Sequence, residues 1–134
     1  MARPPTLAAV AQRRNRGEDW SLLLREFLDV FYAAVPVGEA SACIADAPEP
    51  LADPQEHAVL GAIGEHLARR WGLAIPVWTD EPSRFLPRPY FTTPLEGLKA
   101  LLLAESPIAF RRRLIFTEAE PLRRARMPVE AHPG

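Results

Sequence analysis

Three histidines and one cysteine are the side chains of this 134-residue chain best suited to metal or nucleophile chemistry. Their spacing argues against both. His57 and His66 stand nine residues apart on one helical segment. At about 100° per residue they are half a turn out of phase, so they face opposite sides and cannot share an ion. His132 is remote, and no H-E-x-x-H pattern occurs. A single cysteine, Cys43, excludes an internal disulfide framework and a four-cysteine zinc site. It has no histidine at a suggestive spacing and reads as a buried, inert thiol. There is no G-x-S-x-G elbow, no G-x-G-x-x-G and no Walker loop. Gly61 and Gly64 lie inside a helical pattern and read as points of close helix packing. Paired carboxylates occur only where helix caps or an acidic linker account for them. The expectation is of no catalytic residue, no bound metal and no cofactor.

Two constellations remain. The first is an aromatic loop in which Trp78, Phe85, Tyr90 and Phe91 are interleaved with Arg84 and Arg88. Rings with arginine are the composition of protein-interaction hot spots. The same residues can stack on bases or pack on the domain's own core. The second is a basic C-terminal third carrying Arg111, Arg112, Arg113, Arg123, Arg124 and Arg126. Opposite in sign is the stretch 36–57, with Glu39, Asp46, Glu49, Asp53, Glu56 and no basic residue. The two regions can face each other, be solvated separately, or leave the basic side for an acidic partner or a phosphate backbone. Residues 111–113 sweep about 200° of a helix, so at least one arginine must turn inward. That one needs a carboxylate or helix carbonyls as its partner.

The elements that would position these residues are helical. Trp20, Leu23, Leu24, Phe27, Leu28 and Phe31 form one apolar stripe, which predicts a helix over 19–35 stopped by Pro36 and Gly38. Residues 41–47 can make a short apolar turn or helix. Asp53-Pro54-Gln55-Glu56 is a capping box with proline at the first helical position. The helix it opens buries Val59, Leu60, Ile63, Leu67 and Trp71 and stops at Gly72. Residues 73–92 are irregular. Thr93-Pro94-Leu95-Glu96 opens a third long helix to Glu105, with Leu95, Leu98, Leu101 and Leu102 as its stripe. Ser106-Pro107 starts another helix ending at Phe116, and a short one follows from Thr117 or Pro121 to Pro128.

The fifteen prolines are thus ordered: Pro54, Pro94 and Pro107 start helices, Pro36 stops one, and Pro87 and Pro89 stiffen the aromatic loop. The fold class is all-α, a compact bundle of four to five helices with proline-rich loops. Residues 1–17 read as a flexible basic arm, in which 6–14 can form a short helix with a thin apolar face, 18–128 as a single helical domain, and 129–134 as a tail. Apolar residues make up 48% of the chain, enough for a core, and the net charge of -1 excludes a generally basic nucleic-acid coat. No run of eighteen apolar residues spans a membrane, and the arm has no secretory h-region, so a cytoplasmic protein is expected. Fifteen of the sixteen basic residues are arginine, a bias that weakens arginine runs as evidence for phosphate binding.

Three segments carry a resemblance. They are Trp78-Thr79-Asp80-Glu81-Pro82-Ser83-Arg84-Phe85-Leu86, then residues 105–116 around Arg111-Arg112-Arg113, then Pro121-Leu122-Arg123-Arg124-Ala125-Arg126-Met127-Pro128. With the helix from Glu18-Asp19-Trp20 to Phe31-Tyr32, they resemble a set of small uncharacterised bacterial helical proteins. Members of that set look like antitoxin-type partners encoded beside nucleotidyltransferase-type toxins. Some relatives carry a helix-turn-helix, and none is evident here before Trp71. The resemblance therefore implies neutralisation of a protein partner rather than operator binding. The resulting expectation is a non-enzymatic protein-binding module, an antitoxin-like partner of a nucleotidyltransferase-type protein. The alternative is a nucleic-acid-binding or transcription-regulatory module using the arginine-rich C-terminal third.

Overall fold

A computed structural model describes residues 2–93 and 96–129. It is mostly helical, with one two-stranded pair as its only sheet among those residues. The six α-helices are α1 (Leu7–Asn15), α2 (Trp20–Ala34), α3 (Ala40–Ala45), α4 (Pro54–Arg70), α5 (Lys99–Glu105) and α6 (Ile108–Arg111). The all-α class expected from the sequence holds, carried by α1, α2, α4 and α5. Where the sequence suggested one domain over 18–128, the chain groups into two compact units. The first is Met1–Glu49 with Leu122–Gly134, and the second is Pro50–Pro121.

In the first unit α1, α2 and α3 pack on one another. Asp19 caps α2, accepting from Leu22 N–H at 2.8 Å. Leu23, Phe27 and Phe31 of α2 are fully or nearly fully buried. The flexible arm expected over 1–17 is corrected. Leu7, Val10 and Ala11 recur at i, i+3 and i+4, and all three are completely buried. Leu7 and Val10 each contribute about 1.5–3 kcal/mol on burial, enough to hold a nine-residue helix that would fray alone. Thr6 caps it by accepting from Ala9 N–H, and Arg13 grips Glu18 through Nε and Nη2 at 3.0 and 2.7 Å. The C-terminal strand of chain returns to α2, where Tyr32 Oη–H donates to the Leu122 carbonyl at 2.7 Å.

In the second unit α4 is the central element. Asp53 accepts from Gln55 and Glu56 N–H, Pro54 opens the helix, and Gly72 follows its end at φ +69°. Two 3₁₀ turns, Val77–Asp80 and Pro82–Arg84, lie against α4, as does α6. The helix expected from Ser106 to Phe116 is only one turn long. Arg113 is anchored inward, Leu114 takes φ +62°, and the chain then runs extended. Strand β2 (Ile115–Phe116) pairs in parallel with β1 (Tyr90–Phe91), with Tyr90 opposite Ile115 and Phe91 opposite Phe116. The helix expected after Thr117 is replaced by turns and irregular chain. Of the Thr93–Glu96 segment expected to open the third long helix, Pro94 and Leu95 lie outside the described residues, as do His132 and the rest of 130–134.

Candidate functional site

The second unit holds most of the candidate residues, and α4 positions them by being narrow on one side. His57, Gly61, Gly64, Glu65 and Ala68 share a helix face. An added Cβ at Gly61 would lie 3.0 Å from Arg84 Cδ and 3.1 Å from Arg113 Nε. At Gly64 it would lie 2.8 Å from Trp78 Cη2 and 3.0 Å from Thr79 Cγ2. The two glycines therefore admit a tryptophan and two arginines against the helix backbone. Gly64→Ala should cost about 1–3 kcal/mol through overpacking, more than the roughly 1 kcal/mol gained in helix propensity. A lower urea midpoint is the expected result. A raised midpoint would show that the ring does not press on the helix.

Beneath that face is a buried ionic cluster. Arg113 is the arginine of the 111–113 run that turns inward, at 0% exposure. It donates to Glu65 Oε1 at 2.7 Å, to the Ala109 carbonyl at 2.7 Å and to the Thr79 carbonyl at 2.6 Å. Glu65, also buried, takes Arg69 on its other oxygen at 2.7 Å and Arg112 at 3.5 Å. Burial pushes the Glu65 carboxyl up, but hydrogen bonds from Arg113 and Arg69 outweigh it, and the net shift is downward. Arg84 reaches the His57 carbonyl at 3.1 Å and Glu81 at 2.7 Å, with its guanidinium 4.8 Å from the Trp78 ring centre. Phe85 is flanked by Arg112 and Arg113, 5.1 and 4.5 Å from its centre. Trp78, Arg84 and Phe85 of this loop thus make contacts within their own unit.

A serine–histidine pair escaped the sequence reading. His57 Nε2 lies 2.9 Å from Ser83 Oγ. Its Nδ1 accepts from Leu51 N–H at 3.3 Å, so the proton sits on Nε2 and the ring donates to the serine. A nucleophilic serine needs the reverse polarity, with Nε2 as acceptor. The pair is a brace between the start of α4 and the Pro82–Arg84 turn. Burial lowers the His57 pKa from its ordinary 6.5, and Arg84 lowers it further. The unfolded chain therefore takes up the proton first. The brace is at full strength above about pH 6.5 and is lost as pH falls through the lowered value. His57→Asn should flatten that part of the stability profile in urea titrations; an unchanged profile would remove the brace from the account.

The remaining candidates are scattered. Tyr90 and Phe91 are half-buried in β1, and Phe91 stacks on Phe116 at 5.2 Å. Arg88 is exposed. Arg111, also exposed, donates to the Ala104 and Ser106 carbonyls at 3.3 and 2.9 Å. Arg123, Arg124 and Arg126 belong to the first unit. There Arg124 grips Asp29 through Nε and Nη2 at 3.0 and 2.9 Å, which lowers the Asp29 pKa, while Arg123 and Arg126 are exposed. The partners of Arg112, Arg113 and Arg124 thus come from Glu65, Asp80 and Asp29, none of them in the acidic stretch 36–57. Among the described residues no three His, Cys, Asp or Glu side chains are placed to hold a metal ion. No helix there is long and apolar enough to cross a membrane. Burial and the nearby Glu39 push the Cys43 thiol up, away from thiolate chemistry.

What the second unit presents outward is α5. Its sequence, Lys-Ala-Leu-Leu-Leu-Ala-Glu, is apolar all round between its two end charges. A helix of that kind is normally buried on every side. Here only Leu102 reaches the core, while Leu101 and Leu103 are 51% and 48% exposed and Ala100 and Ala104 are exposed between them. The stripe expected from Leu98, Leu101 and Leu102 is corrected accordingly. Ile108, at the start of α6, is exposed as well.

Comparison with models of protein families, with curated proteins and with solved structures finds no match for this chain.

Proposed function

We propose that the protein is a non-enzymatic protein-binding module whose docking surface is α5. The observation that carries this reading is the uncovered apolar face of Ala100, Leu101, Leu103 and Ala104. Single exposed leucines are ordinary, whereas a helix with no polar face at all asks for a second covering surface. The helix-in-groove mode needs little more than such a face, with anchors one turn apart. The partner is a protein of nucleotidyltransferase type encoded beside this chain, on the strength of the resemblance in residues 78–86, 105–116 and 121–128. Binding that partner would restrain it, as an antitoxin restrains a toxin.

Co-expression tests this. The two proteins should copurify through a tag on either one, and the purified chain should suppress the partner's nucleotide transfer in a dose-dependent way. A neighbour that is neither retained nor inhibited would overturn the reading.

A further inference from the structure

The first unit has a groove of about 620 Å³ where α1, α2 and α3 meet. It exists because the residues around it are short. Ala34 follows Val30 by one turn on α2, Gly38 lies beyond the end of that helix, and Ala42 and Cys43 belong to α3. None of them extends far enough to fill the corner between the three helices. Pro5 and Thr6, just before α1, form the remaining wall. The volume is that of a small-molecule site, roughly 300–1,000 Å³, and the lining is mainly apolar.

The charge at the groove has one sign. Glu39 lines it and is exposed, and among the described residues no basic side chain lines it. Glu39 holds the N-cap position of α3, yet its side chain makes no capping hydrogen bond, unlike Thr6, Asp19 and Asp53 at the starts of α1, α2 and α4. It is also part of the acidic stretch that Arg112, Arg113 and Arg124 do not engage. Its charge reaches the groove floor, where it adds to burial in pushing the Cys43 thiol up. The C-terminal end of the 15-residue α2 opens on the same space through Ala34, and its last turn holds no basic residue. That end carries the negative pole of the helix dipole and favours a cation. The positive end of α1 on the other wall is already engaged, since Thr6 Oγ1 accepts from Ala9 N–H at 3.0 Å.

We propose that this groove binds a small organic ammonium, a compact apolar body carrying one protonated amine, with the body against Val30, Ala34, Ala42 and Cys43 and the amine at Glu39. Ser41, exposed at the rim, offers a hydroxyl oxygen to a second N–H of the amine. Burial of the body supplies affinity, and the carboxylate supplies selectivity for charge. An anion would be repelled by Glu39, and a neutral ligand of the same shape would gain nothing from it. The site is independent of α5, so either can fail without the other.

NMR titration of the isotope-labelled full chain tests it, with phenethylamine as the probe and phenethyl alcohol and phenylacetate as its neutral and anionic counterparts. Phenethylamine should shift the amide signals of Val30, Ala34, Ala42 and Cys43 saturably, about 3- to 5-fold more tightly than the alcohol, the scale of one exposed ion pair. Phenylacetate should not bind. Glu39→Gln should bring the amine down to the affinity of the alcohol and leave the alcohol unchanged, which also shows that this variant is folded. Ala42→Leu, at an exposed position, should fill the groove and abolish binding of both while the rest of the spectrum stays in place. Equal affinity for amine and alcohol in the wild type would overturn the proposal. So would amine binding at full strength in Glu39→Gln or Ala42→Leu, or shifts that fall elsewhere or do not occur.

Discussion

Replacing Glu65 with alanine is expected to destabilise the second unit by about 3–5 kcal/mol, the cost of breaking a buried pair from one side. The loss exceeds that of two hydrogen bonds. Arg113 is 0% exposed and cannot shed its proton, so without Glu65 a full positive charge is left in the interior. Its remaining hydrogen-bond partners are the Ala109 and Thr79 carbonyls, which are dipoles rather than charges. Arg112 is close to the same carboxylate, and Arg84 lies along the same face of α4, so repulsion adds to desolvation. Total stabilities of about 5–15 kcal/mol leave little after such a loss. Urea unfolding should show it directly. Combining Glu65→Leu with Arg113→Met should recover much of it, since both charges then leave together. A single variant that loses less than about 1 kcal/mol would mean the cluster is hydrated and not holding the unit.

The second large effect concerns binding. Leu101→Glu with Leu103→Glu should weaken association with the protein partner by about 100-fold or more, on the scale of two hot-spot side chains. Both leucines are half exposed, so the fold should shift by no more than about 0.5 kcal/mol. Val77→Glu is a suitable control. Val77 is more exposed than either leucine, yet it stands alone on a 3₁₀ turn beside a proline. It should leave affinity unchanged.

Much of this was legible in the sequence, and the misses have physical causes. The stripe from Trp20 to Phe31 and the Asp53-Pro54 cap specify α2 and α4 because long amphipathic periodicity and capping chemistry are local. One arginine of 111–113 turns inward as expected, although α6 ends at Arg111 and Arg113 lies in the turn that follows it. Its partner was not named, since only tertiary packing brings Arg113 to Glu65 across 48 positions of sequence. A signal was nonetheless present: His57, Gly61, Gly64, Glu65 and Ala68 mark a second, small-residue face on α4, which means something bulky approaches there. The β1–β2 pair was hidden because each strand is two residues long, too short for alternation to register. Helix α1 was underrated because three buried side chains, rather than its propensity, hold it. For α5 the spacing of leucines suggested which residues are apolar, but not that only Leu102 would find a core to enter.

The most direct test of the docking face is calorimetric titration of the purified neighbouring nucleotidyltransferase-type protein into this chain, beside the Leu101→Glu, Leu103→Glu double variant. Saturable binding by the wild type, lost or weakened about 100-fold in a double variant that unfolds at the same urea concentration, is the predicted result. Equal affinity for both chains, or no heat from the wild type, would contradict it.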